Sequence, residues 1–321
     1  MVSSRFAHFS SSALFILAAA LGSAAPSPAS CPPEARQPSP GQIEEGTRNA
    51  RDRGFLWRAT RDGRTSYLYG TVHVGKMDWM FPGPEVLRAA RSSEVIALEL
   101  DILDPEVVQR LQEGMAPRPD RVLPEALRLR LRAQLKAACL PEQLLDQTAP
   151  EMVATTLTVM AARREGLDPA YAVDAIYASM ARALQKPVSS LETPELQLKL
   201  LLGSTEAESH AAIESALQEL ESGKAAPMLA RMARVWSDGR LGEMESYEKW
   251  CECLETEADR VMMRRMLDER NPGLATSIDL IHASGKSVFA AVGSLHMIGR
   301  LGLPALLAER GYKVERVDFK P

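Results

Sequence analysis

Apolar residues follow two rhythms along this chain: short unbroken runs near both ends, and three- and four-residue spacings through the middle. Phe55 to Thr60 and Ser66 to Gly70 read as strands, each an apolar or aromatic run too short for a helix. Asp62-Gly63 between them suits a tight hairpin, whose central positions take positive φ. Pro82-Gly83-Pro84 opens a short helix, since proline is tolerated in a first turn. Glu94 to Asp101 is a continuous apolar run closed by acids, which fits a strand buried on both faces. A further strand begins at Val288. It is followed by a helix from Leu303 to Arg310, capped by Gly311, and by a last strand from Tyr312 to Val317.

Between about residues 104 and 270 the pattern is helical, as in Val122 to Ala138, Val153 to Ala162 and Ala170 to Leu184. Breaks fall at Pro141, Pro150, Gly166, Gly203, Gly223 and Gly239, and one strand interrupts at Pro187 to Leu191. A helix from roughly 254 to 270 carries Val261, Met262 and Met266 on one face and ends at Asn271-Pro272. The fold class expected is α/β: a mixed sheet formed by N- and C-terminal strands, with a large helical insertion or lid over 104–270. Residues 51–321 then form one domain.

Composition changes the picture mainly at the amino terminus. The 321 residues, 45% apolar and 25% charged, suffice for a sizeable core. A net charge of −4 gives no footprint for nucleic acid and no polybasic surface for anionic lipid. Arg5, the apolar run Ala13 to Leu21 and the small residues Gly22 to Ala25 have the order of a secretory signal over residues 1–25. That run is shorter than the roughly 20 residues a spanning helix needs. The expected location is therefore periplasmic or secreted, with no stable membrane anchor after signal cleavage. Lipoprotein attachment at Cys31 is a lesser alternative. Residues 26–50, rich in proline, serine and alanine over 26–40, read as an exposed linker, with a short polar helix expected over 42–52.

Export gives the four cysteines meaning, because an oxidising compartment permits disulfides. Cys251-Glu252-Cys253 is too tight to bond internally without strain, since successive side chains diverge, so two longer bridges are expected, with Cys31 and Cys139 each meeting one of that pair. A metal cluster is the alternative, although no histidine lies nearby in sequence to complete a zinc set.

The candidate chemistry centres on a repeated motif, Gly70-Thr71-Val72-His73 and Gly293-Ser294-Leu295-His296, in a chain with five histidines. Each motif follows a strand, and in open α/β sheets the carboxyl ends of strands face the ligand crevice. Glu99 and Asp101 share a face if their strand alternates, so one carboxylate reaches the crevice if that strand adjoins a histidine strand. Two imidazoles and a carboxylate leave open positions on a divalent ion, which would polarise a carbonyl and acidify bound water. Glu192 is either a second acid or part of the helix start Thr193-Pro194-Glu195. Arg270 is a candidate clamp for a carboxylate, and Asn271 before Pro272 a natural N-cap. His210 and His282 read as solvated. There is no Gly-x-Ser-x-Gly elbow, P-loop or His-Glu-x-x-His.

As an ordered set, these two motifs with Leu98-Glu99-Leu100-Asp101, Leu191-Glu192-Thr193, Glu269-Arg270-Asn271 and Leu301-Gly302-Leu303-Pro304 resemble the TraB/PrgY/GumN family, which also includes the Tiki metalloproteases. The resemblance covers roughly residues 55 to 318. It implies an erythromycin-esterase/Tiki-like architecture, and an active site built from the two Gly-x-x-His motifs and a glutamate. It also implies peptidase activity dependent on manganese or cobalt. Carried onto this chain, it implies His73, His296 and Glu99 as metal ligands or catalytic groups, with Arg270 in support. An exported chain without a carboxyl-terminal anchor is more similar to the GumN branch. The expected function is an exported, peptidase-like hydrolase using manganese, cobalt or zinc on a peptide, small ester or glycan. The alternatives are a non-catalytic envelope protein that binds glycan or peptide, or is associated with polysaccharide biosynthesis, and an interaction protein that uses its helical middle.

Overall fold

The computed structural model describes residues 31–254 and 256–319. Six strands, β1 (Phe55–Arg61), β2 (Arg64–Thr71), β3 (Val95–Leu98), β4 (Val188–Ser190), β5 (Val288–Gly293) and β6 (Lys313–Val317), form one mixed sheet in the order β4-β3-β5-β2-β1-β6. The β1–β2 hairpin turns at Asp62 and Gly63, with φ of 52° and 71°, as a two-residue hairpin loop of that composition requires. β6 pairs antiparallel with the outer side of β1, while β2, β5, β3 and β4 run parallel. The sheet is thus built from both ends of the chain. β5, from the far end, lies between β2 and β3 and pairs with each of them.

This interleaving follows from burial. β3 is buried at every position, and β5 at every position up to Val292, so both need cover on two faces. Helices supply it: Tyr177 of the helix Val173–Ala183 meets Tyr69 of β2 at 5.4 Å and Phe289 of β5 at 5.0 Å between ring centroids. The helical insertion carries a smaller core of its own, including Leu131, Leu135, Leu157, Ile213 and Leu217. Buried Glu151 in this insertion is satisfied by Arg118 and by Ser209 Oγ. The insertion reaches back to the first motif. Gly75 pairs with Asp168, and the Val173 N–H donates to the Val72 carbonyl at 3.0 Å.

Several expectations change. The helix expected over 254–270 is shorter, Glu257–Met266, closed at its start by a capping box between Thr256 and Asp259. A new helix, Asn271–Ala283, begins after a turn. Asn271 is therefore its first helical residue rather than its N-cap. His282 is fully buried, not solvated. Its Nδ1 lies 2.8 Å from Ser66 Oγ, and its Nε2 donates to the Arg61 carbonyl at 3.2 Å. His210 is half-buried against the Val122 carbonyl at 2.8 Å.

The disulfides also differ from expectation. They join Cys31 to Cys139, with Cα atoms 5.7 Å apart, and Cys251 to Cys253, with Cα atoms 5.0 Å apart. In an extended segment the Cα atoms of residues two apart lie roughly 6.6 Å from each other, at the upper limit for a disulfide, and the left-handed φ of 51° at Glu252 draws Cys251 and Cys253 closer. From Cys31 onward the amino-terminal stretch is held to the domain by that bond and by mutual hydrogen bonds of 2.8 Å between the Arg36 backbone and the Tyr171 hydroxyl. Its short helix is Pro40–Arg48. The expected signal segment lies outside the described residues. Among the described residues no helix is long and apolar enough to cross a membrane.

Candidate functional site

Three neighbouring parallel strands end at one edge of the sheet, and each delivers a polar side chain just past its end. β2 stops at Thr71, two residues before His73. β5 stops at Gly293, where a 3-10 turn, Ser294–Met297, carries His296. β3 stops at Leu98, immediately before Glu99. The two motif glycines have different tasks. A Cβ on Gly70 would lie 2.9 Å from Ser294 Oγ and 3.2 Å from Ser294 Cα, so only glycine lets the 3-10 turn close onto β2. Ser294 Oγ then donates to the Thr71 carbonyl at 2.8 Å. A Cβ on Gly293 would lie 3.3 Å from Glu99 Oε1, 3.5 Å from His296 Cδ2 and 4.0 Å from His73 Nε2. The structure thus gathers His73, His296 and Glu99 around the bare face of one glycine.

Arg270, at the turn before the helix Asn271–Ala283, is buried behind them. Its Nε donates to Glu192 Oε1 at 2.9 Å, and its Nη2 to Glu192 Oε2 at 2.5 Å and Glu99 Oε2 at 2.6 Å. Its Nη1 reaches the Met266 carbonyl at 3.0 Å and His296 Nε2 at 3.3 Å. A guanidinium has five N–H donors. All five are used inside the protein, leaving none for a substrate carboxylate. Glu99 Oε1 accepts the Gly293 N–H at 2.8 Å, and Gln197 Nε2 adds weaker contacts to Glu192 and Glu99 at 3.2 and 3.5 Å.

The two imidazoles sit in opposite environments. His296 is buried, with Nδ1 2.6 Å from Asn271 Oδ1 and Nε2 facing a guanidinium. Burial lowers its pKa, Glu99 pulls upward, and Arg270 reinforces burial, for a value of about 4. The ring is neutral at physiological pH. The His73 side chain is 62% exposed, and its Nδ1 donates to Asp174 Oδ2 at 3.3 Å. Attraction to Asp174 raises its pKa to about 9 against desolvation, with Glu99 adding to the rise. Glu99 is held below the ordinary carboxylate range: burial opposes ionisation, but the two imidazoles, Arg270 and the Gly293 N–H outweigh it.

Other candidates fall elsewhere. Asp101 does not join Glu99, because the strand ends at Leu98 and the alternation goes no further; Asp101 instead accepts from Arg182 at 2.9 Å. Glu192 is buried in the Arg270 network, and its neighbour Thr193 caps the next helix. Asp174 and Gln197 had no signal in the sequence. Asp174 sits in the first turn of a helix, where an acid already has a reason to be through the helix dipole.

As arranged, these side chains do not fit a divalent ion. The His296 nitrogen that would ligate it faces Arg270, both oxygens of Glu99 and of Glu192 accept N–H donors, and of these four groups only His73 keeps an unpartnered nitrogen or oxygen. Accordingly, no group of three His, Cys, Asp or Glu side chains among the described residues stands ready to hold a metal.

Fold and site together define an α/β protein whose helical insertion overhangs a histidine–carboxylate–arginine cluster at the carboxyl edge of parallel strands. The chain belongs to the TraB/PrgY/gumN family, whose model matches residues 55–316 and so spans every residue of that cluster. No curated protein and no solved structure matches the chain.

Proposed function

We propose that this protein is an exported hydrolase acting on an amide or ester bond, with peptides and small esters as its substrate class. One observation carries the reading: His73, Glu99 and His296, from three separate strands, converge on the bare face of Gly293. Of the three, only His73 has a ring nitrogen available to a reacting atom, and Asp174 holds its other nitrogen as the proton-bearing one. His73 is therefore the proton-transfer group. In its neutral form Nε2 takes a proton from attacking water, and the imidazolium returns it to the leaving group. Glu99 and Arg270 supply a charged wall beside it and His296 a neutral one; no step passes through their committed nitrogens and oxygens. Export is supported by the Ala13 to Leu21 run and by the two disulfides.

The test is turnover of p-nitrophenyl esters and of a fluorogenic peptide library by the protein, beside His73→Asn and Asp174→Asn. The reading expects kcat/KM to rise with pH toward about 9 as His73 deprotonates. It expects loss of turnover in His73→Asn, and a profile shifted to lower pH in Asp174→Asn. Saturable binding of peptide or glycan probes with no turnover at any pH sinks the hydrolase and leaves the binding protein.

A further inference from the structure

Arg270 is surrounded by the donor types that elsewhere bind metal ions, spread here over three guanidinium nitrogens. Glu192 meets it with both carboxylate oxygens at 2.9 and 2.5 Å, Glu99 with one at 2.6 Å, and His296 with a ring nitrogen at 3.3 Å. Two carboxylates and an imidazole are a common donor set for a divalent cation. Here they close on a guanidinium. Each donor is aimed independently of Arg270. Gly293 N–H and Gln197 hold Glu99, Gln197 also holds Glu192, and Asn271 holds the far side of the His296 ring. Asn271 Nδ2 donates to the Leu301 carbonyl at 2.8 Å, so Oδ1 must be the atom facing His296. That interaction leaves the His296 proton on Nδ1 and the lone pair on Nε2, as in a histidine prepared for a cation.

We propose that Arg270 is the resident cation of this site, and that the nest around it is a divalent-ion site the chain has closed with its own side chain. The charge argument is direct. Two buried carboxylates without a counter-ion would carry a heavy desolvation cost, which a buried guanidinium offsets with hydrogen bonds a bare ion lacks. An entering ion would have to displace a cation whose five N–H groups are all bonded. The native protein therefore takes up no divalent ion in the nest, and removal of the guanidinium opens it. The inference deepens the hydrolase reading, because it makes His73 chemistry independent of metal.

The experiment reads metal binding rather than turnover, so it fails separately from the hydrolase reading. Mn(II) is titrated into metal-free wild-type protein, Arg270→Met and Arg270→Met/His296→Ala, followed by electron paramagnetic resonance, with circular dichroism to verify folding. Wild type is expected to bind no Mn(II) in the nest, Arg270→Met to bind one equivalent, and the double variant to lose at least the roughly 10-fold in affinity that removal of a mere outer-shell partner costs. In parallel, the His296 ring signals of wild-type protein should not broaden when Mn(II) is added. This measurement needs no variant and stands even if Arg270→Met fails to fold. Broadening of His296 in wild type, or a folded Arg270→Met that gains no site, overturns the proposal.

Discussion

His296 Nδ1 stands 2.6 Å from Asn271 Oδ1, and both groups are almost wholly buried. The contact sets the ring's tautomer and orientation from the side away from the cleft. It also explains why an asparagine sits at the first position of a helix, where its side chain does no capping.

Replacing Asn271 by leucine keeps the side chain's approximate volume and strips the His296 N–H and the Leu301 carbonyl of their partner. A buried polar group left unpaired costs about 1–3 kcal/mol. The unfolding midpoint in urea should fall accordingly. His296 should sample both tautomers, visible in its nitrogen chemical shifts. A variant as stable as wild type, with an unchanged His296 spectrum, would show that the contact is incidental.

Gly293→Ala separates site from fold. The backbone at Gly293, with φ −48° and ψ 139°, is open to alanine, so the substitution imposes no strain of its own. The added methyl lies 3.3 Å from Glu99 Oε1 and 3.5 Å from the His296 ring, and it fills the space where the three side chains meet. Stability should change by less than about 1 kcal/mol. Hydrolysis should fall about tenfold or more, since misplacing reacting groups by even an ångström has effects of that order. Full turnover in this variant would place the reaction somewhere other than the Gly293 face.

How much of this was legible beforehand depended on whether the cause was local. The apolar runs of β3 and β5 announce strands covered on both faces, and Gly-x-x-His after a strand is a local pattern. The nearness of the two motifs was legible because both follow strands of one sheet. Partners set by tertiary approach left no trace. Asp174 meets His73 only because the insertion folds back through Val72–Val173 and Gly75–Asp168 contacts. Asp101 was misplaced because alternation was carried past the last strand residue, Leu98. The Cys251–Cys253 bond was missed because its geometry depends on one left-handed residue, Glu252, and glutamate gives no warning of that conformation.

The histidines give the stability a pH dependence of known sign. His296 has a folded pKa of about 4, below its ordinary 6.5. Between those values the unfolded chain binds a proton that the folded ring refuses, so stability falls as pH is lowered from 6.5 toward 4. His73 acts oppositely. Its raised pKa contributes stability below 6.5 that is lost as pH rises through about 9, weakly because the ring is largely exposed. Urea midpoints should therefore decline from about pH 6.5 to 5, above the range in which ordinary carboxylates titrate. His296→Gln should reduce that slope whatever its own baseline stability, the remainder coming from buried His282, whose pKa burial also lowers. An identical slope in the variant would assign the acid limb to other groups.

The two disulfides should differ sharply in what they contribute. Cys31–Cys139 closes a separation of 108 residues, whereas Cys251–Cys253 closes a separation of 2. A cross-link stabilises chiefly by restricting the unfolded chain, and a loop of about 100 residues is worth roughly 4–5 kcal/mol on that account. The two-residue link restricts almost nothing beyond its own turn. Cys31→Ser/Cys139→Ser should therefore lower the unfolding free energy by several kcal/mol and free the segment that Arg36 pins to Tyr171. Cys251→Ser/Cys253→Ser should lower it by only about 1–2 kcal/mol. Denaturation of both double variants under identical oxidising conditions checks the ranking. A larger loss from the second pair would mean that the Glu252 turn anchors more of the insertion than its loop size accounts for.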